Sequence, residues 1–268
     1  MRLGVFFRIF FGIALIQVSW VQGACIVEDF DEVVRLARVA DGDTLILTDG
    51  RKVRVLGINS PELPTRARAG EPLATEAKRA AEKFFAQSQT LGLVFDRESR
   101  DRYGRLLAHV YDAKGRSLAG QLLRDGLAFQ VAVPPNLTHQ LCLQRQEDIA
   151  REKARGVWRH TYWQSRAASR LTPDDTGFMR VTGRVTKVSG GRDIWIDLDG
   201  PLVLRIAARD KSLFGAQNWQ DWQGKKIEVR GWVVNRETRE TRTRGFKPLR
   251  LDLRSPLAVE VDVRGDGR

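Results

Sequence analysis

The chain is predicted to be mostly β with some α, an α+β protein of two successive five-stranded barrels of the OB type, the first carrying added helices. Three observations support this. Near the start, Asp41-Gly42 and Asp49-Gly50 separate short alternating apolar runs, and Asp-Gly between such runs is the strongest short-range hairpin signal. The elements then follow as βββ-α-ββ and two helices, the order a Greek-key OB barrel with helical additions would produce. Beyond a polar stretch around Thr172-Pro173, the order βββ-(α)-ββ begins again.

Residues 33–39, 44–47 and 52–58 read as three consecutive antiparallel strands. Asp41, Asp43 and Thr44 then gather at one strand end, and Asn59, Ser60 and Glu62 at another. Arg54 alternates with Val53 and Val55 and so points to the opposite face from them. The basic loop 63–70 holds Arg66 and Arg68, which either touch phosphates or are simply solvated. Ala77, Ala80, Ala81, Phe84 and Phe85 recur at helical spacing and predict a helix over 74–87. Strands are expected at 91–95 and 106–111, with Asp101, Tyr103 and Arg105 in the turn between them. A short helix at 118–125 stops at Gly126, 131–136 is an extended link, and a long amphipathic helix covers 139–155.

Residues 166–177 have the composition of a linker, and strands follow at 179–188, 193–198, 202–207, 226–234 and 249–253. A helical or irregular connection fills 211–222. The expected organisation is a leader at 1–24, a first barrel at 25–165, the linker, and a second OB-like domain at 178–268.

Arg2 and Arg8 flank a short basic region, an apolar run from Ile9 to Trp20 follows, and small residues stand at Gly23-Ala24. That pattern predicts a secretory signal peptide and export to the periplasm or the medium. An uncleaved anchor and a lipid on Cys25 are the alternatives, the second disfavoured by Gln22 three places before it. Cys25 and Cys142 are the only cysteines. In an exported chain they read as a disulfide, and otherwise as two separate thiols.

Across 268 residues, 45 Lys and Arg stand against 33 Asp and Glu, a net charge of +12. Such a charge attracts polyanions, nucleic acid the commonest of them, or serves only solubility. In the second half, Arg236, Arg239, Arg242, Arg244 and Lys247 fall within one predicted hairpin. Trp195, Trp219, Trp222 and Trp232 are either core residues or stacking platforms for a nucleic-acid strand. His109, His139 and His160 lack partners at zinc spacing, and no glycine-rich phosphate loop or nucleophile elbow occurs.

Three motifs in order, Asp41-Gly42-Asp43-Thr44, then Val53-Arg54-Val55-Leu56-Gly57-Ile58-Asn59-Ser60-Pro61-Glu62, then Asp101-Arg102-Tyr103-Gly104-Arg105, closely resemble the staphylococcal nuclease (thermonuclease) family. The resemblance covers about 34–158, nearly half the chain. It implies an OB-type nuclease barrel with Glu62 as general base and with Arg54 and Arg105 holding phosphoryl oxygens. Arginine suits that task because its planar guanidinium donates bidentate hydrogen bonds. The resemblance also implies a Ca²⁺ site from the side chains of Asp43 and Asn59 and the backbone carbonyl of Ser60, with Tyr103 and Arg102 at the substrate.

Two positions depart from the pattern. Asn59 stands where the family's best-known member has Asp, so the site has one negative charge fewer, and weaker Ca²⁺ binding or use of another divalent ion is expected. Val131 and Val133 stand where that member has two tyrosines, which puts base and sugar stacking in doubt. The expectation is an exported, monomeric, divalent-metal-dependent nuclease acting on DNA, RNA or both, with no membrane span after processing. A catalytically silent nucleic-acid-binding module and an envelope interaction module on the same fold are the alternatives.

Overall fold

The structure, a computed structural model, describes residues 25–262. The signal peptide expected at 1–24 lies outside the described residues.

The first barrel opens with a meander of β1 (Glu32–Asp41), β2 (Thr44–Leu47) and β3 (Lys52–Val55). A two-residue strand, β4 (Ile58–Asn59), and helix α1 (Ala74–Phe84) follow, and β5 (Thr90–Arg100) and β6 (Leu106–Asp112) then complete the wall. The strands close in the order β1-β2-β3-β6-β5, with β3 and β6 parallel and the other pairs antiparallel. Helix α2 (Leu118–Arg124), strand β7 (Phe129–Gln130) and helix α3 (Gln140–Glu152) cover one end. Leu45, Leu47, Val53, Leu91, Leu93 and Val110 fill the interior and are almost wholly buried.

The third predicted strand stops early. Gly57 takes φ +83°, and a Cβ there would lie 2.3 Å from Cδ1 of Leu143. The chain therefore turns out of the barrel, and Asn59 pairs with Phe129 of β7 instead.

The second barrel contains β8 (Arg166–Ala167), β9 (Gly177–Ser189), β10 (Ile194–Leu198), β11 (Leu202–Ile206), β12 (Lys226–Asn235), helix α4 (Arg239–Thr243), β13 (Leu249–Asp252) and β14 (Val259–Val261). Its ring, β9-β10-β11-β13-β12, closes through a β12–β9 pairing. Here too one pair, β11 with β13, is parallel. The two barrels thus share one topology. Two 3₁₀ turns, Ala208–Phe214 and Trp219–Trp222, make the irregular connection.

Residues 166–177, expected as a linker, are packed. Arg166 and Ala167 add a parallel strand to β9, and Ala168 and Leu171 are buried in the second core. Asp175 accepts the Thr172 N–H at 2.7 Å and pairs with Arg166 at 2.6 Å. The predicted basic hairpin contains α4, started by a capping box between Thr238 and Thr241.

The barrels meet along a defined seam. Phe129 packs on Phe178 of β9 with centroids 5.3 Å apart, and Phe178 on Trp232 of β12 at 5.1 Å. Beside them Arg230 of β12 pairs with the buried Glu147 of α3 at 2.7 Å, and Glu147 also accepts the Gln130 N–H at 2.6 Å. The guanidinium groups of Arg180 and Arg230 lie over the Trp158 ring at 4.8 and 6.0 Å.

Cys25 and Cys142 form a disulfide between the chain before β1 and helix α3. Closing a loop with a sequence separation of 117 contributes about 5 kcal/mol on the chain-entropy account. No helix among the described residues is long and apolar enough to cross a membrane.

Candidate active site

The Asp41-Gly42-Asp43 turn between β1 and β2 positions the first part of the site. Gly42 is needed here for space: a Cβ would lie 2.7 Å from Ser60 Oγ and 2.9 Å from Ala77 Cβ. The turn is thereby pressed against the segment after β4, and the Ser60 N–H donates to Asp43 Oδ2 at 2.8 Å. Asp43, Asn59 and Ser60 are all buried and sit together.

Arg54 projects from β3 toward these residues. Its guanidinium pairs with the Asp43 carboxylate and lies 3.4 Å from Asn59 Oδ1. Arg54, for which the resemblance implies a phosphate contact, thus rests on the Asp43 side chain and also lines the edge of a cleft.

Glu62 follows the same segment. Its N–H donates to Glu71 Oε2 at 2.8 Å, and the Glu71 N–H donates back to its carbonyl at 2.8 Å, which fixes the backbone. Its carboxylate is 3.8 Å from Arg68 of the basic loop, so that residue is neither simply solvated nor committed to phosphate. Burial and the charge of Asp43 raise the Glu62 proton affinity above the ordinary range, with Arg68 and Arg54 opposing. Asp41, read from sequence as a turn residue, is pushed up to about 7 by burial and by Asp43. Its Oδ1 accepts the Asp43 N–H at 3.0 Å.

Arg105 enters from the β5–β6 turn. Asp101 organises that turn: Oδ1 accepts the N–H groups of Tyr103 at 2.9 Å and Arg105 at 3.0 Å, and Oδ2 accepts Arg105 Nε at 2.7 Å. Burial alone would raise the Asp101 proton affinity, but the bonds from Arg105 and Tyr103 hold it below the usual carboxylate range. Gly104, at φ +78°, lets the turn close. Arg102 donates to the Tyr103 hydroxyl at 2.6 Å and lies over its ring at 4.8 Å.

Arg54, Arg102, Tyr103 and Arg105 line one cleft of about 880 Å³, together with Val131 and Val133. The far side of that cleft belongs to the second barrel, through Arg209, Asp210, Trp232 and Arg254. Glu62 is not on the cleft wall, and its carboxylate feels the charges of Asp43, Arg68 and Arg54. Sequence reading could not place the far side, since it depends on the packing of two barrels. One signal was present: Trp232 alternates with the inward Gly231 and Val233, a large aromatic on the outward face of a strand.

Of the four tryptophans in the second barrel, Trp222 is buried, Trp219 packs against it at 5.4 Å, and Trp232 is exposed. Trp195 lies under the guanidinium groups of Arg236 and Arg205 at 5.2 and 5.6 Å.

Asp43 and Asn59 offer hard oxygen donors, and the charge of Asp43 raises the proton affinity of both Asp41 and Glu62. A cation would relieve that repulsion, so the donor set fits a hard divalent ion. Among the described residues no three His, Cys, Asp or Glu side chains form a ready cage. An ion held here would therefore keep several water ligands.

The family model described as staphylococcal nuclease homologue matches residues 52–160. A thermonuclease of Staphylococcus intermedius is 32% identical over 124 residues, covering 45% of this chain and 73% of the relative. A thermonuclease of Staphylococcus hyicus is 28% identical over 131 residues, 48% of this chain and 76% of that protein. Endonuclease YncB of Bacillus subtilis (strain 168) is 35% identical over 130 residues, 47% of this chain and 61% of the relative.

Proposed function

Because the chain belongs to the staphylococcal nuclease family, we propose that it is an exported nuclease that hydrolyses phosphodiester bonds of DNA or RNA. Residues 25–165 form its catalytic domain and 178–268 a domain that holds nucleic acid. The observation that carries this reading is the meeting of Arg54 and Arg105 on one cleft wall, with Glu62 near enough to feel the charges of Arg54 and Asp43.

Glu62 removes a proton from water, which attacks phosphorus as the bond to the leaving oxygen breaks. Its raised proton affinity suits a general base, which works best near the operating pH. Arg54 and Arg105 donate to the phosphoryl oxygens as negative charge builds on them. Arg105 is pre-aimed by Asp101, whereas Arg54 exchanges part of its contact with Asp43 for the phosphate. Arg102 and Tyr103 contact the strand beside the scissile bond.

Asp43, Asn59 and the Ser60 carbonyl would hold a divalent cation, Ca²⁺ or another. Such an ion supplies Lewis-acid neutralisation of phosphoryl charge. With Asn59 contributing no charge, Asn59→Asp is expected to lower the half-saturating Ca²⁺ concentration in a calorimetric titration. The disulfide between Cys25 and Cys142 supports an oxidising, exported setting.

The deciding assay incubates the purified protein with labelled DNA and RNA in Ca²⁺, Mg²⁺, Mn²⁺ or chelator. Cleavage that needs one of the ions is the expected result. Binding with no cleavage under any condition would leave a silent nucleic-acid module, and cleavage untouched by chelator would remove the metal.

A further inference from the structure

The cleft that holds Arg54 and Arg105 is built by both barrels, and its second wall carries an aromatic face. Trp232 is 44% exposed, an unusual state for so large a ring in a strand whose alternate residues Val229, Gly231 and Val233 face the core. It is nevertheless held in place. Its edge packs on Phe178, which packs on Phe129, whose backbone pairs with Asn59. The platform and the catalytic segment are therefore linked through a short chain of packed rings and one strand pair.

The same wall carries cations. Arg254 donates to the Pro134 carbonyl at 2.8 Å and lies 3.5 Å from the buried Asp210, so it clips the two barrels together. Arg209 projects free, its one ion pair among the described residues a long one to Asp210 at 3.9 Å. On the nuclease side Tyr103 is 69% exposed. Two exposed aromatic rings and several arginines thus line one cleft of nucleotide dimensions.

We propose that the second barrel completes this cleft as a base-stacking wall for an unpaired nucleic-acid strand, with Trp232 as the stacking face and Arg209 on the backbone. The proposal rests on the nuclease reading for the identity of the polyanion. A base inside a duplex has both faces covered by its neighbours, so only a single strand, or a frayed end, presents a face to Trp232. The strand's phosphates then lie toward Arg54 and Arg105, and the second barrel selects the form of nucleic acid that reaches them.

The test is binding of the full-length protein in chelator, measured by fluorescence anisotropy with a short oligothymidylate, an abasic strand of equal length and a blunt duplex. Stacking on one aromatic side chain is worth roughly five- to hundredfold in affinity. Trp232→Ala should lose that factor for oligothymidylate, leave the abasic strand nearly unchanged, and bring the two to similar affinity. Trp232→Phe should recover most of the loss, and Arg209→Ala should reduce the salt slope for both strands by about one. Unchanged oligothymidylate binding by Trp232→Ala, or equal losses for the thymidylate and abasic strands, would overturn the stacking wall. A duplex bound by wild type as tightly as oligothymidylate would overturn the selection of unpaired strands. Should Trp232→Ala fail to fold, equal wild-type affinity for the thymidylate and abasic strands still refutes the proposal. Because no cleavage is scored, a protein that stacks but never cuts would end the nuclease reading and leave this one standing.

Discussion

At the scale of single residues, like sequence signals have different physical causes. Asp41-Gly42 and Asp49-Gly50 look alike in sequence, yet only Gly50 adopts a positive φ, at +84°. Gly42 is there because Ser60 and Ala77 leave no room for a Cβ. His109 shows a different cost. It is buried inside β6, its Nε2 has no hydrogen-bond partner among the described residues, and its ring meets that of His139 edge-on with centroids 4.9 Å apart. Burial and the neighbouring His139 push it down to about 4, against a weak opposing pull from Asp96. Between that value and about 6.5 the unfolded chain binds a proton that the folded chain does not. Stability is therefore full at neutral pH and falls as the pH drops through the window, by about 3 kcal/mol from this residue. Urea denaturation at pH 7 and pH 4.5 should show a larger acid loss for wild type than for His109→Phe. Equal losses would mean that His109 is not the group responsible.

At the scale of elements, the β5–β6 turn is the device that aims Arg105. Asp101→Ala removes the acceptor for two backbone N–H groups and the partner of Arg105 Nε. In an exposed turn this should cost only about 1 kcal/mol of stability. Turnover should fall much further, by about tenfold or more, because the guanidinium is no longer held in line. Asp101→Asn, which keeps the backbone acceptor, should lie between; melting and turnover measured together separate aim from folding. The hairpins and the helix at Ala74–Phe84 were legible because Asp-Gly turns and helical spacing are local signals. The end of β3 at Val55 was not, since Leu143 of α3 crowds Gly57 from far along the chain. The segment 166–177 misled for a related reason: its polar residues satisfy one another while Ala168 and Leu171 alone enter the core. In the site, Asp43, Arg54, Asn59 and Ser60, which the family resemblance implies as one group, do lie together. Arg209, Trp232 and Arg254 could not be placed from sequence, because only the seam brings them there.

At the scale of the molecule, the two barrels act as one cleft because the seam between them is specific. Glu147 is almost fully buried and depends on Arg230 across that seam. Arg230→Ala would leave its charge uncompensated and should cost about 3–5 kcal/mol in urea denaturation. Adding Glu147→Gln, which keeps an acceptor for the Gln130 N–H, should recover part of that loss. Wild-type stability in Arg230→Ala would mean that the barrels do not support each other through this pair. The proposed nuclease mechanism rests on Glu62 as general base, and its most direct measurement is turnover of Glu62→Gln on labelled DNA and RNA, in protein freed of contaminating nuclease. The variant should bind nucleic acid as wild type does in chelator and cut about a hundredfold more slowly or worse. Undiminished cleavage by Glu62→Gln would contradict the account.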